Sequence, residues 1–294
     1  MKKNKISVGI CCRSYNRNLF NLLINLKKNY EPQIYKLNIS IIFNTVNKIK
    51  ISESNQIKKI LSNVPHEILY ERMKGVSFAR NKYLNRIKKI SVDFCCFIDD
   101  DCIPQKNFIL NHLKFITKEK CKIVTGPQIF KSKITFFRIL ERKFRQGDTI
   151  RWASTNNVFF KKSLLQNKLL FSTKVIKYGY GEDQLFFSKL SKNGEKIKWH
   201  NNKVYEIVGK ERKNLSWFLK RNFSYGLTGY LIERELYGNI YGIFVNLFKS
   251  LIYLFYLVIY LAIIIFNPKK YFLLSMSNLL RVCGRIIGLK NIIK

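Results

Sequence analysis

Residues 95–104 read CCFIDDDCIP: four apolar residues, Cys95 to Ile98, pass directly into Asp99, Asp100 and Asp101. An apolar run of this kind bounded by turn residues predicts a buried strand. Three ionised carboxylates at its end repel one another unless a cation lies among them. Oxygen ligands favour Mg2+ or Mn2+, and Mg2+ takes one or two carboxylates and completes its shell with substrate phosphates and water. The plain alternative is an Asp-rich turn closed by Pro104, and the buried strand before it favours the metal reading.

Working outward, KISVGICC (5–12), LNISIIF (37–43) and HEILYE (66–71) read as strands, and VDFCCFI (92–98) is the fourth. Between them, Leu19, Leu22, Leu23 and Leu26 repeat at helical spacing after the RSYNRN loop, and SFARNKYLNRIKKI (77–90) reads as a helix with Ser77 as N-cap. From Ile6 to about Trp199 this alternation predicts a three-layer α/β domain on a mostly parallel sheet. The aspartates then sit at a strand's carboxyl end, where open α/β sheets bind ligands.

Composition agrees with a folded chain. Its 294 residues are 47% hydrophobic and 14% aromatic, enough for one large domain and an appendage. The 54 Lys+Arg against 18 Asp+Glu leave a net charge of +36, which calls for a large anion nearby: nucleic acid, an anionic membrane or a phosphate-bearing substrate. Lysines are spread along the chain, which argues against a dedicated nucleic-acid patch. Seven cysteines show no CxxC pair and no His partner at zinc spacing, as expected of a reducing compartment. The start MKKNKISVGICCR is short for a signal peptide and reads as the first strand.

Five blocks, in order, resemble those of glycosyltransferase family 2: GVSFARN (75–81), FIDDDCIP (97–104), TGPQ (125–128), ASTNNVFFKKSLL (153–165) and GYGEDQLFFSKLSKNGEKIKW (179–199). The resemblance covers about Lys5 to Gly229. It implies the GT-A nucleotide-sugar-binding fold over residues 1–229, and an inverting, metal-dependent transfer from a nucleotide-diphosphate sugar. In that light Asp99–Asp101 match the DxD element, with Asp101 facing Mg2+ or Mn2+, Asp99 near the metal or ribose, and Asp100 on the donor side. Asp183 of the ED pair is the implied general base, and Glu182 assists it or holds the acceptor. Arg13, Arg80, Arg212 and Arg221 are implied donor contacts, the last two within KERKNLSWFLKRNFSYG (210–226). Trp152, Asn156 and Asn157 fall beside the sugars. Each also has a plain structural reading: helix-capping acids, a solvated basic helix, a turn Asn and a partly buried Trp.

Two positions depart from the family pattern. Asn44 stands where many relatives carry Asp at the end of the second strand, which alters a base or ribose contact. Glu206, in VYEIVGKER (204–212), stands where some relatives place a metal-binding His, and reads as a second metal ligand or a structural residue. His66, His112 and His200 show no ligand spacing and read as surface or internally satisfied histidines.

Beyond Gly229 the composition shifts. Leu251 to Phe266 carries no charge, its upstream extension holds Asn246, Lys249 and Ser250, and apolar residues recur at helical spacing from Phe272 to Ile287. Residues 230–294 therefore read as a membrane-associating helical region, with an anionic membrane as partner. The combined expectation is an enzyme of polysaccharide or cell-envelope synthesis on the cytoplasmic membrane face, acting on a glycan or lipid-linked acceptor and using no nucleic acid. Two other classes remain open in the sequence: a basic nucleic-acid-binding protein, which no helix-turn-helix, finger or RNP motif supports, and an inactive membrane scaffold, against which Asp101 and Asp183 speak.

Overall fold

The computed structural model describes residues 3–165, 169–175 and 179–293, and the chain divides into two compact units. Unit 1 comprises residues 1–131, 142–173 and 186–207; unit 2 comprises 132–141, 174–185 and 208–294.

Unit 1 is built on an eight-stranded sheet. Its strands are β1 (Asn4–Cys12), β2 (Tyr35–Phe43), β3 (His66–Tyr70), β4 (Phe94–Phe97), β6 (Ile123–Thr125), β8 (Thr149–Ile150), β9 (Val158–Lys161) and β10 (Ile197–Trp199), in the order β3-β2-β1-β4-β9-β6-β10-β8. The four strands expected from the sequence pair in parallel, with Ile6 opposite both Leu37 and Phe94. β9 runs antiparallel between β4 and β6, and β8 closes the edge antiparallel to β10. Both faces of the sheet are covered, which is why β4 reads as a continuous apolar run rather than an alternating one. Cys96 and Ile98 enter one core cluster with Leu19, Leu22, Leu23 and Leu26 of α1 (Arg17–Lys28) and Ile57 of α2 (Ile51–Ile60). Cys95 and Phe97 enter the other with Ala79, Tyr83 and Leu84 of α3 (Val76–Lys88).

A second, three-stranded sheet has β11 (Val204–Glu206) between β5 (Cys102–Pro104) and β7 (Gln128–Phe130). Ser77 does not cap α3. Gly75 holds the N-cap position with φ 135°, a conformation that an L side chain rarely adopts, and Ser77 lies buried inside the helix and donates to the Ser172 carbonyl at 2.9 Å.

The two histidines of the unit 1 interior are internally satisfied, as expected. Asn157 Nδ2 donates to the carbonyls of Pro127 (3.1 Å) and Asn202 (2.8 Å), so its Oδ1 accepts from His112 Nε2 at 3.0 Å. That leaves His112 Nδ1 as acceptor for His200 Nδ1, 3.3 Å away. His112 lies on α4 (Phe108–Lys118), and His200 stacks on Phe115 of the same helix at 4.2 Å. Burial holds both imidazoles neutral: His112 is lowered well below its ordinary range and His200 to about 4. A depressed imidazole contributes stability that is complete above the unfolded value of about 6.5 and is lost as pH falls through the folded value. In denaturant unfolding the histidine contribution to stability should therefore be flat above pH 7 and fall between pH 6.5 and 4. His200→Phe should flatten part of that fall, and an unaltered profile in the variant would show that His200 does not contribute.

Unit 2 is helical. It contains α5 (Thr135–Leu140), the first turn of α6 (Glu182–Lys192), α7 (Leu215–Tyr237), α8 (Asn239–Ala262) and α9 (Pro268–Ile293). α7 runs without a break through Gly229, where the composition shifts. Asn214 Oδ1 caps α7 by accepting from Trp217 N at 2.8 Å. Val175, Leu185, Ile232 and Leu236 form a small apolar cluster, and Phe136 and Phe137 of α5 pack on Trp217 of α7. Gly226 and Gly284 bring the backbones of α7 and α9 together: a Cβ on Gly226 would lie 2.3 Å from the Arg281 carbonyl oxygen.

Candidate active site

The three aspartates form the turn between β4 and β5. Cys102 N donates to the Asp99 carbonyl at 3.1 Å and closes it. β5 pairs antiparallel with β11, placing Glu206 opposite Cys102, and Ile207 N donates to the Asp101 carbonyl at 2.8 Å. A residue 105 positions further along the chain than Asp101 thereby joins the acidic turn. The ligand atoms of Asp101, Cys102 and Glu206 all lie within 4.8 Å of one another. Glu206 is 5% exposed, and Gln128 of β7 donates its amide to Oε2.

This donor set fits a hard divalent cation. Two carboxylates supply oxygen, whereas the Cys102 thiol is soft and is held neutral, its pKa pushed well up first by burial and then by the Asp101 charge. Mg2+ or Mn2+ held by Asp101 and Glu206 would keep further positions for phosphate and water.

The turn is braced on both sides. Asn16, the N-cap of α1, accepts from Leu19 N at 2.9 Å and donates to Asp100 Oδ2 at 3.0 Å. Burial pushes the Asp100 carboxyl up to about 6, against the opposing effects of the Asn16 hydrogen bond and the Arg13 charge. Arg80, 5% exposed on α3, lies 3.6 Å from Asp99 and over the Phe171 ring. Arg13, exposed after β1, Asn44 after β2 and Asp99 after β4 all stand at carboxyl ends of adjacent parallel strands.

Asn44 has a definite task. Its Nδ2 donates to the carbonyls of Glu71 (3.1 Å) and Met73 (2.7 Å), while its Oδ1 accepts from Gly75 N at 2.9 Å. The carboxamide thus pins the loop that leads into α3 and the GVSFARN block. An Asp here could not donate to either carbonyl.

Among the sugar-side expectations, Asn157 has its carboxamide engaged with His112, Pro127 and Asn202, as described above. Asn156 is 4% exposed with Oδ1 unpartnered within the described residues. Trp152 is half-buried, with Arg142 over its ring at 3.8 Å.

In unit 2, Glu182 is buried and Asp183 half-buried in the first turn of α6, where the helix dipole favours acids; Asp183 Oδ1 accepts from Gln184 N at 2.7 Å. Arg221 sits in an aromatic cage, its guanidinium 4.4 Å from the Tyr180 ring centroid and 5.1 Å from those of Trp217 and Tyr225, with Nε donating to the Tyr225 hydroxyl at 2.7 Å. Arg212 lies at the end of a short helical turn, 3.7 Å from the Glu211 carboxylate.

Two participants escaped the sequence reading. Asn16 carried a signal, since it precedes an amphipathic helix at capping distance. Gln128 carried none beyond its place in TGPQ, because its partnership with Glu206 depends on strand pairing.

No family model matches the chain, and no curated protein matches it in sequence. Solved structures do resemble it. The mannosyltransferase PcManGT from Pyrobaculum calidifontis, in complex with GDP-Man and Mn2+, superposes with a TM-score of 0.62 at 13% identity, over 99% of this chain and 88% of that one. S. aureus TarS gives 0.54 at 17% identity over 79% of this chain. GalNAc-T7 with UDP, GalNAc and Mn2+ gives 0.58 at 15% over 78%. The chain spans 39% of the length of TarS and 49% of that of GalNAc-T7. The likeness is one of architecture: the chain has the GT-A fold of glycosyltransferases, with an α/β sheet flanked by helices and two apolar helices near its carboxyl end.

Asn44→Asp should lower stability by about 2 kcal/mol, because it removes both donors and sets a carboxylate against two carbonyl oxygens. Urea unfolding measures this, and wild-type stability in the variant would remove Asn44 as the loop's fastening.

Proposed function

We propose that the protein is an inverting glycosyltransferase of the family 2 type, moving a sugar from a nucleotide-diphosphate donor to a glycan or lipid-linked acceptor at the cytoplasmic membrane face. One observation carries the reading most: Glu206 arrives beside Asp101 through β-strand pairing, giving a hard-oxygen pair at the carboxyl edge of a GT-A sheet. The divalent ion held there would offset charge on the departing diphosphate.

This chain's own residues supply the rest. Asp183 takes the proton of the acceptor hydroxyl as its oxygen attacks the anomeric carbon, and the bond from that carbon to the diphosphate oxygen breaks on the opposite face. No covalent sugar–enzyme bond forms, so the configuration inverts. Arg80 holds Asp99, and Arg13, Arg212 and Arg221 add positive charge for the phosphates. Asn44 fixes the donor-side loop. The +36 charge and the two apolar helices support attachment to an anionic membrane.

The test is to incubate purified protein and Mn2+ with a panel of nucleotide sugars and follow nucleotide release. Release with one donor, abolished by chelation, is expected; silence across the panel, with no nucleotide binding, would reject the assignment. Asp101→Asn should weaken metal-dependent nucleotide binding on the order of 10–100-fold in titration calorimetry, and unchanged metal dependence would reject Asp101 as a ligand. Asp183→Asn should retain donor binding but lose turnover on the order of 100–10,000-fold, since the amide keeps the size of the side chain and cannot accept a proton. Wild-type turnover would remove Asp183 from the mechanism.

A further inference from the structure

The helix α8 is apolar and exposed over its whole length. Phe244, Leu251, Phe255 and Val258 form one stripe, each between 64% and 65% exposed, and only Gly242, Asn246 and Ser250 are buried. Its 24 residues span about 36 Å, enough to cross the ~30 Å hydrocarbon core of a bilayer. Length and composition therefore do not distinguish crossing the membrane from lying on it. The neighbouring helix does.

α7 runs alongside α9 in parallel. Asn222 Oδ1 accepts from Ser277 Oγ at 2.6 Å and from Arg281 Nε at 3.1 Å; Gly226 meets Arg281 and Gly284; Tyr230 meets Gly288. α8 runs antiparallel to both: Lys249 and Arg285 pair with Glu233, Arg285 Nη1 donates to Asn246 Oδ1 at 2.6 Å, and Tyr260 stacks with Tyr271. Contacts at several levels show that the three helices lie side by side and overlap along their lengths. α7 carries exposed Lys220 near one end and exposed Glu235 near the other, 15 residues or about 22 Å apart, with Glu235 paired to Lys174 at 3.1 Å. A 30 Å slab crossed by α8 would enclose one or both of those charges on α7, where charge is costly.

We propose that unit 2 seats its α8–α9 hairpin in the plane of one leaflet of an anionic membrane, with the outer face of α8 buried among the acyl chains and neither helix crossing. The partner is a lipid surface by two features of the chain. The stripe on α8 is apolar and aromatic, α9 also exposes Phe272, Leu279 and Ile286, and the turn between the helices is followed by exposed Lys269 and Lys270 within a chain of net charge +36. The inference rests on the membrane attachment proposed above and specifies its geometry.

The test places one new tryptophan at a time, as Phe244→Trp, Leu251→Trp, Phe255→Trp and Val258→Trp, in the full chain. Each variant is mixed with vesicles of phosphatidylcholine and phosphatidylglycerol carrying bromine at shallow, middle or deep acyl positions, and the quenching of Trp152, Trp199 and Trp217 in the parent protein is subtracted. These sites span 14 residues, about 21 Å along the helix. In-plane seating predicts that all four are quenched most by the shallow label, with shallow-to-deep ratios equal within about twofold. A gradient, with Leu251→Trp or Phe255→Trp deepest and Phe244→Trp shallow, overturns the in-plane geometry and leaves membrane attachment standing. No added quenching at any site, with the parent protein failing to float with the vesicles, overturns the attachment itself.

Discussion

The pairing of β5 with β11 is the contact on which the acidic site depends. Three residues of each strand stand opposite one another, and the pairing brings a buried Glu206 within ligand distance of Asp101. Two carboxylates so close, one of them 5% exposed, lower the stability of the fold unless hydrogen bonds or a cation offset their desolvation. Gln128 supplies one hydrogen bond, from β7 on the other side of β11. The three-stranded sheet is thus a clamp that holds like charges together, and its short strands are stable only as a unit with the turn they close. Such a local conflict, maintained by the surrounding structure, is characteristic of functional sites.

How much of this was legible in the sequence follows from the range of the interactions. β1 to β4 were readable because burial on both faces leaves an uninterrupted apolar run, and α1 because its four leucines keep helical spacing. The start of α3 was misplaced by two residues, since Ser77 has the chemistry of a cap but Gly75 has the backbone freedom that the turn requires. The insertion of β9 against its neighbours' direction has no local signature, because strand direction is set by the path of the chain. Glu206 could be flagged only by resemblance; its placement beside Asp101 is a matter of register. Asn44 read as a departure from a family pattern, and the structure gives the physical reason: the position demands two donated hydrogen bonds, which a carboxylate cannot make.

The polar residues of unit 2 show a related division. α8 and α9 expose apolar side chains, whereas Asn222 and Glu233 of α7, Asn246 and Lys249 of α8, and Arg281 and Arg285 of α9 are gathered on the inward side and bonded to one another. In sequence Lys249 and Asn246 looked like interruptions of a membrane segment. In the structure they are what fixes the rotation of α8 about its own axis, because any other rotation would bury apolar side chains against charges and turn the charges outward.

The close approach of Gly226 and Gly284 also bears on the economy of the chain. Two helices that pack in parallel cannot be joined by a short loop; the chain must first travel back the length of the first before it can begin the second. α8 is that return path. Its contribution to the interior is limited to a narrow inner stripe, so most of its positions are free of the demands of core packing. A segment made necessary by connectivity alone is therefore available to carry whatever surface chemistry the protein needs, and changes to its outer residues leave the contact between α7 and α9 untouched.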